Sequence, residues 1–280
     1  MKLQTLFVGV AALALIGADS RRNSPSARDW PSWRGPQRTG LSKETGLLKS
    51  WPEEGPKLLW KATGLGEGYS TPSVSGKLIY EMGNRDGQEW LMALDRTQQG
   101  KQVWATEIGP VRHGGGGYAG PRSTPTVDGN RVYALGLNGD LVCCNALKGD
   151  IVWRHDLPKE FGGKVGGWGY AESVLIDGPL LLCTPGGEQA TMLALQKKNG
   201  EPVWSAKVGD VADYASIIKV EIGGVPQYVQ FTKKGVIAVN AKNGEFLWRY
   251  DAPANGTANA STPLFADGDV FAASGYGQGG

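Results

Sequence analysis

Five tryptophans, Trp60, Trp104, Trp153, Trp204 and Trp248, recur along this chain at spacings of 44, 49, 51 and 44 residues. Four of them close one phrase: Gly100-Lys-Gln-Val-Trp104, Gly149-Asp-Ile-Val-Trp153, Gly200-Glu-Pro-Val-Trp204 and Gly244-Glu-Phe-Leu-Trp248. A unit of this length, with one glycine and one indole, buries its apolar face only by stacking on its neighbours. The period and composition suit a radial array of small sheets, a β-propeller.

Each unit reads as four strands. The first carries Ser-Thr-Pro, at Ser70-Thr71-Pro72, Ser123-Thr124-Pro125 and Ser261-Thr262-Pro263. The second follows a polar turn, as in Lys77 to Tyr80, Arg131 to Leu135, Leu180 to Cys183, Gln227 to Phe231 and Val270 to Ala273. The third is Leu91 to Asp95, Leu141 to Asn145, Met192 to Gln196 and Val236 to Asn240, and the fourth ends near the tryptophan. These runs are short, aliphatic and bounded by Gly, Asn and Asp. Asn199-Gly200 and Asn243-Gly244 read as tight hairpins between strands three and four. Proline gives no ladder hydrogen bond, so Pro72, Pro125 and Pro263 mark the inner edge of a blade and Pro202 the outer one. The repeated indoles are expected to plug the space between blades.

Length, 280 residues, allows one large domain, and the 43 glycines suit a turn-rich all-β fold. Lys and Arg total 29 against 27 acids. That balance, with no basic stripe, argues against a nucleic-acid partner. Lys2 followed by an apolar run from Leu3 to Ile16 and then Gly17-Ala18 reads as an export signal over residues 1–18. Residues 19–29 read as a polar linker and 30–280 as the propeller. The mature protein is expected to be periplasmic or secreted, with no lipid-attachment cysteine and no membrane span after cleavage. Cys143, Cys144 and Cys183 occupy slots filled elsewhere by Ala93, Leu94 and Ala134, so they read as buried apolar thiols rather than a redox pair.

The Gly-x-x-x-Trp ending, preceded by Ala-Leu-Asp, Ala-Leu-Gln or Ala-Val-Asn, resembles the pyrroloquinoline-quinone (PQQ)-type propeller repeat. The opening Asp29-Trp30-Pro31-Ser32-Trp33-Arg34-Gly35-Pro36 resembles the start of exported PQQ-like propellers of planctomycete-type bacteria. The resemblance implies one of two roles. One is that of the quinoprotein alcohol dehydrogenases, which hold PQQ and calcium over the channel with a Glu, Asn and Asp set, an Asp base and a vicinal disulfide in a loop. The other is that of the non-enzymatic propeller subunit of the outer-membrane barrel assembly machinery, a protein-binding scaffold. No matching acid set can be placed here, and Cys143-Cys144 falls within a strand. The expectation is therefore a non-catalytic exported scaffold for a protein or ligand, without cofactor. A PQQ- and calcium-dependent dehydrogenase, or a degenerate relative, is the alternative. The units amount to about four full blades plus partial ones, an arc of a larger ring that by the resemblance has seven or eight blades; the alternative is a five-bladed ring closed by the strand of Trp60. Trp60 would then lie on a strand that closes the last blade.

Loops entering the inner strands ring the mouth of a propeller channel. Here they are glycine-rich, and Tyr69, Tyr118, Tyr170 and Tyr214 recur just before the inner strand. Counting back from Asp177-Gly178 and Asp128-Gly129 puts Glu172 in the place of Ser123, with Arg122 in the neighbouring unit. Tyr69, Arg122, Tyr170, Glu172, Tyr214 and Asn259 are accordingly the expected mouth residues, suited to a planar or sugar-like ligand or to an envelope protein. The other possibility is that the tyrosines pack between blades around a water-filled channel. No catalytic residue and no metal site is assigned. His113 and His155 are far apart in sequence, Ser123 and Ser261 lack a histidine in register, and Gly114 to Gly117 is not followed by a phosphate-binding Lys-Ser/Thr.

Overall fold

The computed structural model describes residues 29–113 and 118–280. The expected signal, almost all of the linker and Gly114 to Gly117 lie outside them.

Four antiparallel sheets follow one another, each with its strands in sequence order. The first blade is β1 (Ser73–Ser75), β2 (Leu78–Arg85), β3 (Gln88–Asp95) and β4 (Lys101–Pro110). The second is β5 (Thr126–Asp128), β6 (Arg131–Leu135), β7 (Asp140–Asn145) and β8 (Ile151–Asp156), followed by a short helix α1 (Leu157–Phe161). The third is β9 (Leu175–Asp177), β10 (Leu180–Cys183), β11 (Met192–Gln196) and β12 (Pro202–Ala206). The fourth is β13 (Ile218–Ile222), β14 (Val225–Phe231), β15 (Val236–Asn240) and β16 (Phe246–Tyr250). A two-stranded sheet, β17 (Leu264–Ala266) and β18 (Asp269–Phe271), follows. The fold is a β-propeller arc of four full blades and a partial fifth.

The third strand of each blade explains the stacking. Neighbouring residues on a strand face opposite sides, yet Leu141, Val142, Cys143 and Cys144 on β7 are all fully buried. Both faces of the blade are therefore covered. Val142 and Cys144 join Leu91 and Ala93 in the core between blades one and two. Leu141 and Cys143 join Leu181, Leu193 and Leu195 in the core between blades two and three. The adjacent cysteines thus point into different cores and are free, as is Cys183. Burial pushes the Cys143 thiol up to about 11 and Cys144 to about 12, which keeps both protonated and unreactive near neutrality.

The Gly-x-x-x-Trp phrase is a contact between blades. A Cβ on Gly149 would stand 2.8 Å from the ring of Trp104, and one on Gly200 would stand 2.9 Å from Trp153. Gly244 meets Trp204 in the same way, and Gly100 meets Trp60. Each indole lies over the glycine of the following repeat, where a side chain has no room. Within its own blade each tryptophan sits opposite a small residue: Ala93 for Trp104, Cys143 for Trp153, Ala194 for Trp204 and Ala238 for Trp248. A bulge falls immediately after that pair in all four blades, and it turns the outer strand so that the large ring reaches across. Trp104 and Trp153 donate Nε1–H to the carbonyls of Ala146 and Lys197 in the next blade, both at 3.1 Å.

Three expectations need correction. The Ser-Thr-Pro triplets end one residue before β1, β5 and β17 rather than within them, because proline offers no N–H and the ladder starts after it. Asn199-Gly200 and Asn243-Gly244 lie in five-residue connections, 197–201 and 241–245, instead of two-residue turns. Only their glycines have positive φ, +80° and +74°, whereas the tight type I′ turn needs it at both central residues. Trp60 lies outside the strands, but its ring fills the place over Gly100 that a preceding blade's indole would take.

Candidate functional site

The opening Asp-Trp-Pro-Ser-Trp-Arg motif forms a strap across the inner edges of the blades. Trp30 exchanges two backbone hydrogen bonds with Val74 of β1, at 2.8 and 2.9 Å, and the Pro31 carbonyl accepts from Val127 of β5 at 2.7 Å. The Arg38 guanidinium, buried against blade three, donates to the carbonyls of Ser173 and Val174 at 2.8 and 2.9 Å. Trp33 reaches the partial fifth blade, donating Nε1–H to Thr262 Oγ1 at 3.2 Å. Gly35 permits the turn: its φ is +83°, and a Cβ there would stand 2.9 Å from the Trp30 ring.

Beside the strap runs a belt of hydroxyls. The Thr124 N–H donates to Ser173 Oγ at 2.8 Å, the Ser173 N–H to Ser216 Oγ at 3.0 Å, and the Ser216 N–H to Thr262 Oγ1 at 3.3 Å. Each inner strand is thereby tied to the next at the same position. The recurring Ser/Thr before each inner strand is the sequence trace of this belt.

Strap and belt form the floor and sides of a cavity of about 450 Å³. Trp33, Tyr118, Trp168, Tyr214 and Tyr276 supply its aromatic walls, Ala171, Ala258 and Ala260 add apolar surface, and Arg122 lies among them. The Trp168 and Tyr214 rings stand 5.6 Å apart, tilted by 60°, and the Trp168 N–H donates to the Tyr214 hydroxyl at 3.4 Å. Arg122 donates to the carbonyls of Trp168 and Tyr118, each at 2.5 Å, and so joins two aromatic loops.

The six expected mouth residues divide. Arg122 and Tyr214 line the cavity. Tyr69 is exposed and packs edge-on against Tyr118, with centroids 5.8 Å apart. Tyr170 is buried between blades two and three, its hydroxyl donating to the Pro185 carbonyl at 2.7 Å. Asn259 is fully buried; its N–H donates to Asp213 Oδ2 at 2.8 Å, and its side chain donates to the carbonyls of Thr232 and Lys233. Glu172 does take the place of Ser123: Ser123 bonds Leu135 on β6, and Glu172 accepts from Thr184, the residue after β10, at 2.7 and 3.0 Å. It does not form a cluster with Arg122. Its charged neighbour is Arg38 of the strap, and burial pushes its carboxyl up to about 7. Burial likewise brings Arg38 down to about 10. Trp33, Trp168, Tyr118 and Tyr276 also line the wall, and none was among the six.

The vicinal loop disulfide that the resemblance implies for the dehydrogenases does not fit these residues. Among the described residues no three His, Cys, Asp or Glu side chains converge on a possible metal position. The cysteine pair is buried in β7 with its thiols in separate cores.

Stacked four-stranded blades, locked by a Gly-Trp contact and enclosing an aromatic axial cavity, define a PQQ-type repeat propeller. The chain belongs to the family described as outer membrane protein assembly factor BamB, whose profile matches residues 87–279. Among characterised proteins it is similar to the tetrathionate hydrolase of Acidithiobacillus ferrooxidans, 26% identical over 236 residues, covering 78% of this chain and 44% of that protein. Similar solved structures include quinohemoprotein alcohol dehydrogenase ADHIIG of Pseudomonas putida HK5, at 15% identity and a TM-score of 0.48, covering 75% of this chain and 39% of that one. BamB of Moraxella catarrhalis matches at 18% identity and a TM-score of 0.46, covering 73% and 55%. The chain spans 39% to 55% of the length of these relatives. Among the described residues, no helix is long and apolar enough to cross a membrane.

Proposed function

We propose that the protein is an exported, non-catalytic propeller that serves as a binding scaffold in the cell envelope, with the axial cavity as its recognition site. The observation that carries this reading is the cavity itself. Aromatic walls from the strap and from three separate inner-strand loops converge over a hydrogen-bonded floor, an arrangement suited to capture. The apolar run at the N-terminus supports export. Family membership supports a role in envelope protein assembly. The test is photocrosslinking in intact cells, with a photoreactive residue replacing Tyr118. The expected outcome is a specific adduct in the envelope fraction that disappears when Trp168→Ala is added. Retention of the protein in the cytoplasm, or an adduct indifferent to Trp168, would refute the reading.

A further inference from the structure

The polar lining of the axial cavity is made of donors. Ser173 Oγ, Ser216 Oγ and Thr262 Oγ1 each accept a backbone N–H from the neighbouring inner strand. Their own hydroxyl protons go to no acceptor among the described residues, and all three side chains line the cavity. The Tyr214 hydroxyl is in the same position, accepting from the Trp168 N–H. Arg122 has five N–H groups. Two serve the Trp168 and Tyr118 carbonyls, and among the described residues no carboxylate lies within ion-pair distance of it. The nearest acids in sequence are turned away from the lining. Glu172 bonds Thr184, and Asp213 Oδ2 accepts from the Asn259 N–H.

We infer that the cavity takes a small organic anion with a flat apolar body, such as an arene carboxylate or sulfonate, held by direct hydrogen bonds without a metal ion. This deepens the binding-scaffold reading and rests on it. An oxyanion accepts several hydrogen bonds and donates none, which complements this set of hydroxyls and the guanidinium. The indole and phenol rings cover a flat body. A sugar matches less well, because its several hydroxyl protons would find no carboxylate and only one spare lone pair on each of Ser173 Oγ, Ser216 Oγ and the Tyr214 hydroxyl. The volume lies within the range of small-molecule sites, roughly 300–1,000 Å³.

The test is titration of the full-length protein with 2-naphthoate, its neutral counterpart 2-naphthalenemethanol, and methyl glucoside, followed by tryptophan fluorescence and calorimetry. Naphthoate is expected to bind saturably and at least tenfold more tightly than the other two, with affinity falling as salt rises. Arg122→Gln is expected to erase that preference and Arg122→Lys to keep most of it. Ser216→Ala, which leaves the guanidinium in place, is expected to weaken naphthoate several-fold and leave naphthalenemethanol unchanged. Equal binding of naphthoate and naphthalenemethanol, or a preference that survives Arg122→Gln, overturns the anion and leaves the cavity as a binding site. No saturable binding by any of the three overturns both.

Discussion

The four repeated indoles are not energetically equivalent, and the difference lies in single atoms. Trp104 and Trp153 are buried with Nε1 bonded to the next blade, whereas Trp204 Nε1 is buried without a partner and its ring stacks on Tyr228. Trp104→Ala is expected to destabilise the fold by about 3–5 kcal/mol. Trp104→Phe should lose a further hydrogen bond of about 1 kcal/mol that Trp204→Phe does not, and urea unfolding of the pair of variants measures the contrast. Gly149→Ala should cost about 1–3 kcal/mol, since φ is +82° and the new methyl would meet the Trp104 ring. Glu172 sets a pH dependence. Burial raises its folded pKa to about 7 from the ordinary value of 4.5, so the native state holds a proton over that interval that the unfolded chain has released. Its contribution is therefore present below about pH 4.5 and is lost as pH rises toward 7. Thermal unfolding at pH 5 and pH 7.5 should show a smaller difference between the two pH values for Glu172→Gln than for the wild type. At this scale the sequence was informative wherever a slot recurs. Cys143 could be placed by the alanines at its equivalents, and Glu172 by Ser123. Tyr170 and Tyr214 both precede an inner strand, yet Tyr170 stands three residues before Ser173 and Tyr214 two before Ser216, and that one-residue offset sends one into the core and the other into the cavity.

Among the elements, blade strands were legible and the strap was not. Strands announce themselves through alternation and local turns, and the bulge beside each tryptophan repeats four times. The strap occurs once, and its partners are backbone groups of three different blades and one threonine hydroxyl, none of which leaves a mark in residue type. Half of the cavity wall is not legible for the same reason: Trp33 belongs to the strap, and Trp168 has no counterpart at the same place in the other units. Arg38 is the strap's fastening point, buried among carbonyls with Glu172 as counter-charge. Arg38→Met is expected to cost about 3 kcal/mol by leaving that carboxyl and those carbonyls without their cation. A double-mutant cycle with Glu172→Gln should return a coupling of about 0.5–3 kcal/mol, and additivity would show that strap and carboxyl are independent.

For the molecule as a whole, stacked units contact mainly their neighbours, so stability varies along the array. β7 and β11 are covered on both faces, whereas all three residues of β17 are exposed. Hydrogen exchange should therefore be slowest in Leu141 to Cys144 and Leu193 to Leu195 and fastest in Leu264 to Ala266. Uniform protection across the five sheets would indicate one cooperative block. The strap introduces a different kind of order. Trp33 and Thr262 are 229 positions apart, and Arg38 and Ser173 are 135 apart. Trp33 and Arg38 must therefore wait for chain made much later, and closing such loops is entropically costly and slow. Until then Trp33 has no seat, and the nascent chain carries a bare indole ahead of its blades, a handle for whatever escorts it.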